Sequence, residues 1–451
     1  MAEAGRLKRV LPLRTAVSTS AGLASAAVNF LACAQIDHAA GLAGALTLAV
    51  AGGLIAVVAS HFAELSGLYP SAAAIRVWSR RGSSDTLSLL FSLVYLVTVL
   101  FVMAADAFVV AKVFEAAWPA VPGVVWIAAL LGLVTAGNLR GVKVAGRVQD
   151  INGFLLLVSL AAISVVALVR APHLAAVPWP GAGGWADGLS IAVFVFVGFE
   201  WVTPLAEEFA DARSIGRGMY LALVLIAAAF GLFTWALGAQ FGRSALPTAS
   251  AIPQLLLGRQ ALGALGFWWM AAVSLTTAMT TFNGGLVAAS RFIYALARER
   301  VLPRTWARLN SRLVPARAVL GLAGTALVLA VAVWLTGAYL FLINVGAAVE
   351  SFLYAYVAYL TVSLRRREPA RARPFRAWGT PWLSWAVLGV FGLLGLGALL
   401  APDGLPGPVP WPLVFLLLLI LATYAYIRWA VPRLRRQAAA ARLGQGALPE
   451  A

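Results

Sequence analysis

The stretch LSIAVFVFVGFEWVTPLAEEFADARSIGR, from Leu189 to Arg217, decides how this chain folds. It begins as an apolar run, but Gly198 interrupts the run, Glu200 places a carboxyl group at bilayer depth, and Pro204 removes a backbone donor one turn later. Unpaired backbone groups survive at that depth only where protein or a water-filled cavity satisfies them. The sequence therefore predicts a membrane helix broken around a site. The alternative is a kinked structural helix in which Glu200 is protonated and packed.

The amino-acid composition indicates an integral membrane protein. Of its 451 residues, 62% are hydrophobic and 11% are charged, whereas about 25% of the residues in a soluble domain are charged. The net charge of +17 does not indicate a nucleic-acid partner, because the basic residues form short clusters between apolar runs. The single cysteine, Cys33, and three scattered histidines form no disulfide or metal pattern. We expect no cofactor, no metal site and no enzymatic activity.

Apolar runs of about 20 residues recur twelve times and predict an all-α integral membrane protein with twelve transmembrane helices. The runs are Arg14–Ile36, Gly41–Ala63, Asp85–Phe114, Gly123–Gly137, Val148–Val169, Leu189–Phe209, Gly218–Ala239, Ala261–Ala288, Val319–Leu335, Tyr339–Leu364, Trp382–Leu400 and Trp411–Ile427. Basic clusters precede the first run and follow the even-numbered runs, so the positive-inside rule predicts that both termini are cytoplasmic. The first run imitates a cleaved signal peptide, but the equal apolarity of the later runs favours a retained span.

Residues around the break in the sixth run are candidates for a solute site. Discontinuous helices hold the solute at the midplane in many secondary transporters. Backbone groups of Val197, Gly198 and Phe199 would face that solute. Trp201 would cap the solute by stacking, or else pack as an ordinary buried aromatic.

Further polar residues lie inside other apolar runs. Asp106 and Glu350 are carboxyl groups at bilayer depth, where such groups usually face the bundle interior and hold a solute ammonium or a proton. The alternative for both is a hydrogen-bonded residue near a helix end. In the eighth run, the hydroxyls of Ser274, Thr276 and Thr277 are candidate sodium ligands, or bond only to their own helix.

Five separated motifs resemble those of the amino acid–polyamine–organocation permeases. They are ELSGLYPSAA (Glu64–Ala73), NLRGVKVAGRVQ (Asn138–Gln149), FVGFEWVTPLAEEFADARSIGRG (Phe196–Gly218), ASRFIYALARERVLPRTWARLN (Ala289–Asn310) and LRRREPARARPFRAWGTP (Leu364–Pro381). Their order and spacing cover nearly the whole chain, so the resemblance is specific although each motif alone is weak.

The resemblance implies a leucine-transporter-like fold with alternating access. Two inverted five-helix repeats would occupy residues 14–170 and 188–364, two peripheral helices residues 382–431, and cytoplasmic tails residues 1–13 and 432–451. The implied function is a permease of the cell membrane for amino acids or related amines, coupled to H⁺ or Na⁺ or working by exchange. By the same resemblance, Glu200 would couple protonation to transport, and Glu350 is a second candidate for coupling.

The sequence departs from that family in the first helix. Members usually carry a Gly-x-Gly break whose amides hold the solute carboxylate, whereas this stretch reads SAGLASAAVNFLACA (Ser20–Ala34). The residues near the expected break are Ala26, Ala27, Val28 and Asn29. Asn29 could open the helix by competing for backbone groups, but Ala and Val favour a closed helix more than Gly does. The departure leaves two alternatives, a transport-inactive solute sensor or accessory protein of the same fold, and a carrier of a non-amino-acid amine or other organic solute.

Overall fold

The computed structural model describes residues 9–171, 181–211, 213–245 and 252–445. Within these ranges the regular structure is helical, apart from an isolated bridge between Leu11 and Phe209. The α-helices are α1 (Leu13–Ala24), α2 (Val28–Ala40), α3 (Gly44–Leu68), α4 (Ala74–Gly82), α5 (Asp85–Ala117), α6 (Gly123–Leu139), α7 (Val142–Val169), α8 (Gly181–Phe194), α9 (Arg213–Ala245), α10 (Pro253–Arg298), α11 (Ala316–Thr336), α12 (Tyr339–Arg367), α13 (Trp382–Leu400) and α14 (Trp411–Gln445). Two of them are kinked by a glycine with non-helical backbone angles, α9 at Gly242 and α10 at Gly263. Parts of both predicted tails and of the connection before α8 lie outside the described residues.

Each predicted apolar run falls on a helix or a helix pair, which confirms the all-α membrane fold. In the described part of the chain, ten helices are long and apolar enough to cross a membrane, and the bent pair α1 and α2 makes up to eleven. The predicted count of twelve is not confirmed, because α6 has only 17 residues. At about 1.5 Å per residue it is about 26 Å long, short of a hydrocarbon core of about 30 Å.

The first broken span consists of α1 and α2, which meet at an angle of 64°. The break falls at Ser25–Ala27, among the residues where the sequence placed it, although no glycine lies there. Side chains stabilise it instead. The Asn29 amide donates to the carbonyls of Ala24 and, at 3.0 Å, Val195, while the Ala27 N–H donates to the Asp106 carboxylate. Asn29 thus satisfies carbonyls that the broken helix would leave unpaired.

The second broken span begins with α8, which ends at Phe194. Gly198 then adopts a left-handed conformation with φ of 105°, and a 3₁₀ helix follows at Phe199–Leu205. The positive φ favours glycine, and a β-carbon at position 198 would stand in van der Waals contact, at 3.4 Å, with the backbone of Ala24 and Leu23. The two breaks therefore lie directly against each other in the middle of the bundle.

Helices α13 and α14 lie at the periphery of the bundle. The most apolar windows of these two helices are 33% and 22% buried, the lowest shares among the candidate spans of the described chain. Large exposed side chains such as Trp382, Leu400 and Trp429 face outward from them. This exposure supports the expectation of two peripheral helices.

The basic clusters meet at one end of the bundle. Ion pairs join segments that are far apart in sequence: Arg76 with Glu299 at 3.1 Å, Arg81 with Glu368 at 3.5 Å, Arg435 with Asp85 at 3.2 Å, and Arg298 with Glu207 at 3.3 Å. These contacts bring together α4, the start of α5, the residues at the ends of α10 and α12, and the C-terminal part of α14. The charge pattern assigned those same regions to one side of the membrane.

Candidate functional site

A cavity of about 1040 Å³ lies between α2, α5, α8, α12 and α13. It extends from the break in the first span, at Ala26 and Val28, to helix ends at Ala39, Leu340 and Pro402. Those helix ends lie at the end of the bundle opposite to the basic clusters. The cavity therefore joins the two helix breaks to one face of the protein.

The wall of this cavity is mostly apolar and includes Leu23, Phe101 and Phe194. Its polar side chains are those of Asn29, Gln35, His38, Ser190 and Asn344, and the described lining contains no Asp, Glu, Lys or Arg. Of the predicted solute-site residues, the lining includes Ala26, Val28, Asn29 and Val197. A cavity with this wall accommodates a solute with an apolar body and a few polar groups.

Asp106 lies beside the first break, behind the cavity wall. It is fully buried in the interior of α5, so it is not a helix-end residue. One carboxylate oxygen accepts the Ala27 N–H, and the Val28 amide also interacts with the carboxyl group. The second oxygen, Oδ2, has no hydrogen-bond partner. The nearby Thr281 hydroxyl is likewise buried without one.

Glu200 and Glu350 form a buried carboxyl pair at the second break. Glu200 accepts hydrogen bonds from the hydroxyls of Tyr95, at 3.0 Å, and Tyr354, at 2.8 Å. Trp201 Nε1 donates to Glu350 Oε1 at 3.2 Å, and Glu350 Oε2 is buried without a hydrogen-bond partner, close enough to Glu200 for the charge of that carboxyl group to act on it. No cation is among these partners. Two neighbouring carboxyl groups buried in this way do not both ionise, so the pair can hold a proton that moves with the helices.

Trp201 packs against protein and not against the cavity. Its ring stacks on Tyr95 with 4.0 Å between the ring centroids, and its indole N–H donates a hydrogen bond to Glu350. Gly198 and Phe199 are also absent from the cavity lining. In this conformation, the predicted residues of the second break other than Val197 lie behind the wall.

The hydroxyls predicted as sodium ligands bond to their own helix. Ser274 donates to the Met270 carbonyl at 2.9 Å, and Thr276 and Thr277 make equivalent bonds of 2.7 and 2.6 Å within α10. The α10 hydroxyl beside Asp106 is that of Thr281, one turn further along. Sequence reasoning missed Thr281, and the run of Ser and Thr residues in α10 was the only signal for it.

A buried amide network below the first break was also missed. Gln149 Nε2 donates to the Ser18 carbonyl at 3.1 Å, Asn283 Nδ2 donates to Gln149 Oε1 at 2.7 Å, and Asn138 Nδ2 donates to Asn283 Oδ1 at 2.9 Å. These bonds connect α6, α7 and α10 to α1. The available signal was the presence of amide residues within or beside apolar runs, where unpaired polar groups are costly.

The end of the bundle opposite to the cavity is closed by a buried ion pair. Arg291 Nε lies 3.3 Å from Glu208 Oε2, and both side chains are at most 1% exposed. The backbone N–H groups of Val10 and Leu11 donate to the Glu208 carbonyl at 2.8 and 3.0 Å. The segment before α1, the end of the second broken span and α10 are thereby joined. We call these four residues the inner seal.

Comparisons with known proteins agree with this architecture. A family model described as amino acid permease matches residues 16–439. The D-serine/D-alanine/glycine transporter of Escherichia coli K12 is 27% identical over 276 residues, which cover 54% of this chain and only 57% of that transporter. The aromatic amino acid transport protein AroP of Corynebacterium glutamicum is 25% identical over 425 residues, covering 87% and 89% of the two chains.

A solved structure shares the fold. The manganese transporter of Eremococcus coleocola superposes with a TM-score of 0.63 over 97% of this chain and 99% of that one, at 14% sequence identity. At this identity the likeness concerns the fold alone. The family model, in contrast, matches nearly the whole sequence. This multi-pass membrane protein therefore belongs to the amino acid permease family.

Proposed function

We propose that this permease is a secondary carrier of neutral amino acids, which it moves across the cell membrane by alternating access coupled to protons. The observation that carries the proposal is the meeting of two helix breaks at the inner limit of an apolar cavity. Half-helix ends at such a position offer unpaired amides and carbonyls to the head group of a solute. Each of the two expected inverted repeats begins with a broken span. This correspondence supports the alternating-access scheme.

The wall of the cavity favours a neutral solute over a cationic one. A diamine or a basic amino acid would bring a side-chain charge that requires a buried carboxylate beside it. The described lining offers none, whereas Phe101 and Phe194 offer apolar and aromatic surface. The names of two relatives specify transport of small neutral and of aromatic amino acids, whereas that of a third specifies the diamine putrescine, so the preference rests on the cavity wall. A non-amino-acid amine remains the alternative solute.

The Glu200 and Glu350 pair supports proton coupling over sodium coupling. A shared proton between two buried carboxyl groups is lost or gained when the groups separate or meet water. Glu200 lies on the broken span, so a movement of that span changes its distance from Glu350 on α12. The hydroxyls of Ser274, Thr276 and Thr277 donate to their own helix, which leaves their oxygen lone pairs for a cation, so a sodium gradient is included in the test.

A transport-inactive sensor is the rival function. This alternative arose because the first span lacks the glycines of the usual break, yet the helix is broken there without glycine. Flux separates the two functions, because a sensor binds solute without moving it.

The test is uptake of radiolabelled solutes by purified protein in liposomes. We expect phenylalanine and small neutral amino acids to accumulate when the outside is acidic, and a protonophore to abolish the accumulation. Empty liposomes and a sodium gradient without a pH gradient are the controls. Accumulation driven only by sodium would refute proton coupling, and binding without uptake at any gradient would refute the carrier function.

A further inference from the structure

The N-terminus of α2 is a carboxylate site that the protein itself fills. The 13-residue helix α2 starts at Val28 in the middle of the bundle. The N–H groups of Asn29 and Phe30 donate to the carbonyls of Ala26 and Ala27 at 2.9 and 3.1 Å, which leaves the N–H groups of Ala27 and Val28 at this helix end for another acceptor. Such a helix end attracts anions through its N–H groups and its dipole. Here the anion is Asp106, which accepts the Ala27 N–H and interacts with the Val28 amide.

A solute carboxylate would need the same helix end. Ala26 and Val28, on either side of Ala27, line the cavity, so the start of α2 is also the part of the break that a bound solute meets. The Ala27 N–H has one proton to donate, and two carboxylates at one helix end would repel each other. Asp106 and the solute carboxylate can therefore not both be bound there in ionised form.

Several polar atoms around this helix end are buried without partners. They are Asp106 Oδ2, the Thr281 hydroxyl and the hydroxyl of Ser25 within the break. Unsatisfied buried polar groups in a native structure usually indicate a missing ligand or a second arrangement of the site. While Asp106 occupies this helix end, several polar groups of the break therefore lack a hydrogen bond.

In the described part of the chain, the groups that act on the Asp106 carboxylate include no charged side chain. The groups that act on it from the elements packed against α5 are the amides of Ala27 and Val28 and the hydroxyl of Thr281. Burial of a carboxylate without a cation is costly, and protonation removes the charge. Protonation also removes the charge-assisted hydrogen bond that holds the carboxyl group on the helix end.

We propose that Asp106 and the solute carboxylate compete for the N-terminus of α2, and that protonation of Asp106 admits the solute. Each amino acid then binds together with one proton, so its affinity rises as the pH falls. This inference rests on the proposed transport of amino acids and adds a proton that is linked to binding. It is separate from the Glu200 and Glu350 pair, which lies behind the cavity wall and has tyrosine and tryptophan partners.

The test compares two solutes with the same ring, phenylalanine and 2-phenylethylamine, which lacks the carboxylate. Their affinities for the full chain in detergent are measured against pH by calorimetry, together with proton uptake on binding. For the wild type we expect the phenylalanine affinity to change about tenfold per pH unit above the titration of Asp106. We expect the amine to show no such increase as the pH falls.

Two variants on the same helix isolate the effect. Asp106→Asn should bind phenylalanine with an affinity independent of pH and without proton uptake. The matched control is Glu115→Gln, which removes a carboxylate near the outer end of α5 that pairs with Lys112 and Trp334 and does not line the cavity. It should retain the wild-type pH dependence. Proton uptake by the wild type tests the inference even if Asp106→Asn fails to fold.

Four results would overturn the inference. Phenylalanine binding without proton uptake, or an unchanged pH dependence in Asp106→Asn, would do so while leaving the carrier function intact. Amine binding that is lost in Asp106→Asn would make Asp106 a direct ammonium ligand instead. Absence of binding by any amino acid to the folded wild type would refute the proposed function and this inference together.

Discussion

Three buried carboxyl groups in this permease differ in what surrounds them, and those surroundings decide their roles. Asp106 receives backbone N–H groups, Glu200 receives two tyrosine hydroxyls, and Glu208 faces Arg291. A lone carboxylate at membrane depth is costly, whereas a paired one remains charged. We therefore assign changes of protonation to Asp106 and Glu200 in our proposals, and the part of a fixed partner in the inner seal to Glu208.

Glu200→Gln should uncouple transport from the proton gradient. The amide keeps an oxygen that accepts from Tyr95 and Tyr354 but cannot exchange a proton with Glu350. We expect gradient-driven accumulation in liposomes to disappear, while counterflow of preloaded solute continues in part. Glu115→Gln serves as the control and should accumulate solute as the wild type does. Unchanged accumulation and pH response in Glu200→Gln would rule out the coupling role.

The hydrogen bond between Tyr69 and Glu368, two residues that lie outside the membrane spans, leads us to expect that the protein loses stability in acid. The Tyr69 hydroxyl donates to Glu368, and this bond, together with Arg371 and Arg81, holds the pKa of Glu368 below its usual range. Burial and the neighbouring Glu368 raise the pKa of Tyr69, which keeps it a donor. Because the folded pKa of Glu368 is depressed, its contribution is full above the ordinary value of about 4.3 and disappears as the pH falls through the folded pKa.

The measurement is the unfolding temperature of the detergent-solubilised protein as a function of pH. The wild type should lose stability more steeply than Glu368→Gln on acidification. Tyr69→Phe removes the hydroxyl but keeps the ring that Arg81 and Arg371 cover at 4.7 and 4.2 Å, so its pH dependence should be intermediate. Parallel curves for the three proteins would contradict the assignment.

The carboxyl groups of the site could be predicted from the sequence, but their partners could not. Asp106, Glu200 and Glu350 stand out because each interrupts an apolar run. Tyr95 and Tyr354 do not, since aromatic residues are ordinary in membrane helices. Only the tertiary arrangement brings Tyr95 to a carboxyl group 105 positions away.

At the level of helices, the two breaks have different physical origins. The break at Gly198 is encoded locally, by a glycine at positive φ with a proline in the turn that follows. The break at Ser25–Ala27 depends on distant partners, because Asp106 lies 79 positions from Ala27 and Val195 lies 166 positions from Asn29. Local sequence therefore predicted the second break firmly and only suggested the first.

Asn29→Ala should weaken the first break. The substitution leaves the carbonyls of Ala24 and Val195 without their shared donor, and a buried group without its partner costs about 1–3 kcal/mol. We expect a lower unfolding temperature and weaker solute binding. The matched control is Asn152→Ala on α7, since that amide bonds only to the Val148 carbonyl of its own helix, at 2.9 Å. Equal effects of the two substitutions on stability and binding would argue against the bridging role.

For the molecule as a whole, the cavity and the inner seal define one state of a transport cycle. The cavity reaches one end of the bundle, and the ion pair of Glu208 with Arg291 closes the other. The positive-inside rule predicts that the closed end, which carries the basic clusters, is cytoplasmic, and with that orientation the cavity would open to the outside. Hydropathy and charge predicted the helices and their orientation, but a sequence holds no information on which state of a cycle is populated.

Arg291→Gln should shift the protein towards a state that opens at the basic end. Breaking a buried ion pair costs about 3–5 kcal/mol, and here the cost falls only on the closed conformation. Arg298→Gln is the control, because Arg298 pairs with Glu207 at the surface, where it is 45% exposed and such pairs are worth about 0–1 kcal/mol.

Thiol labelling with a membrane-impermeant maleimide from each side measures the shift. In a Cys33→Ser background, Ala32→Cys reports on the cavity. Thr19→Cys reports on the region beneath the break, where the native Thr19 is only 3% exposed. We expect Arg291→Gln to lower labelling of Ala32→Cys from the outside and to raise labelling of Thr19→Cys from the cytoplasm. In the Arg298→Gln control, both cysteines should be labelled at the same rates as in the protein that keeps Arg298. If Arg291→Gln leaves both rates unchanged, the ion pair is structural and another contact closes the cytoplasmic end.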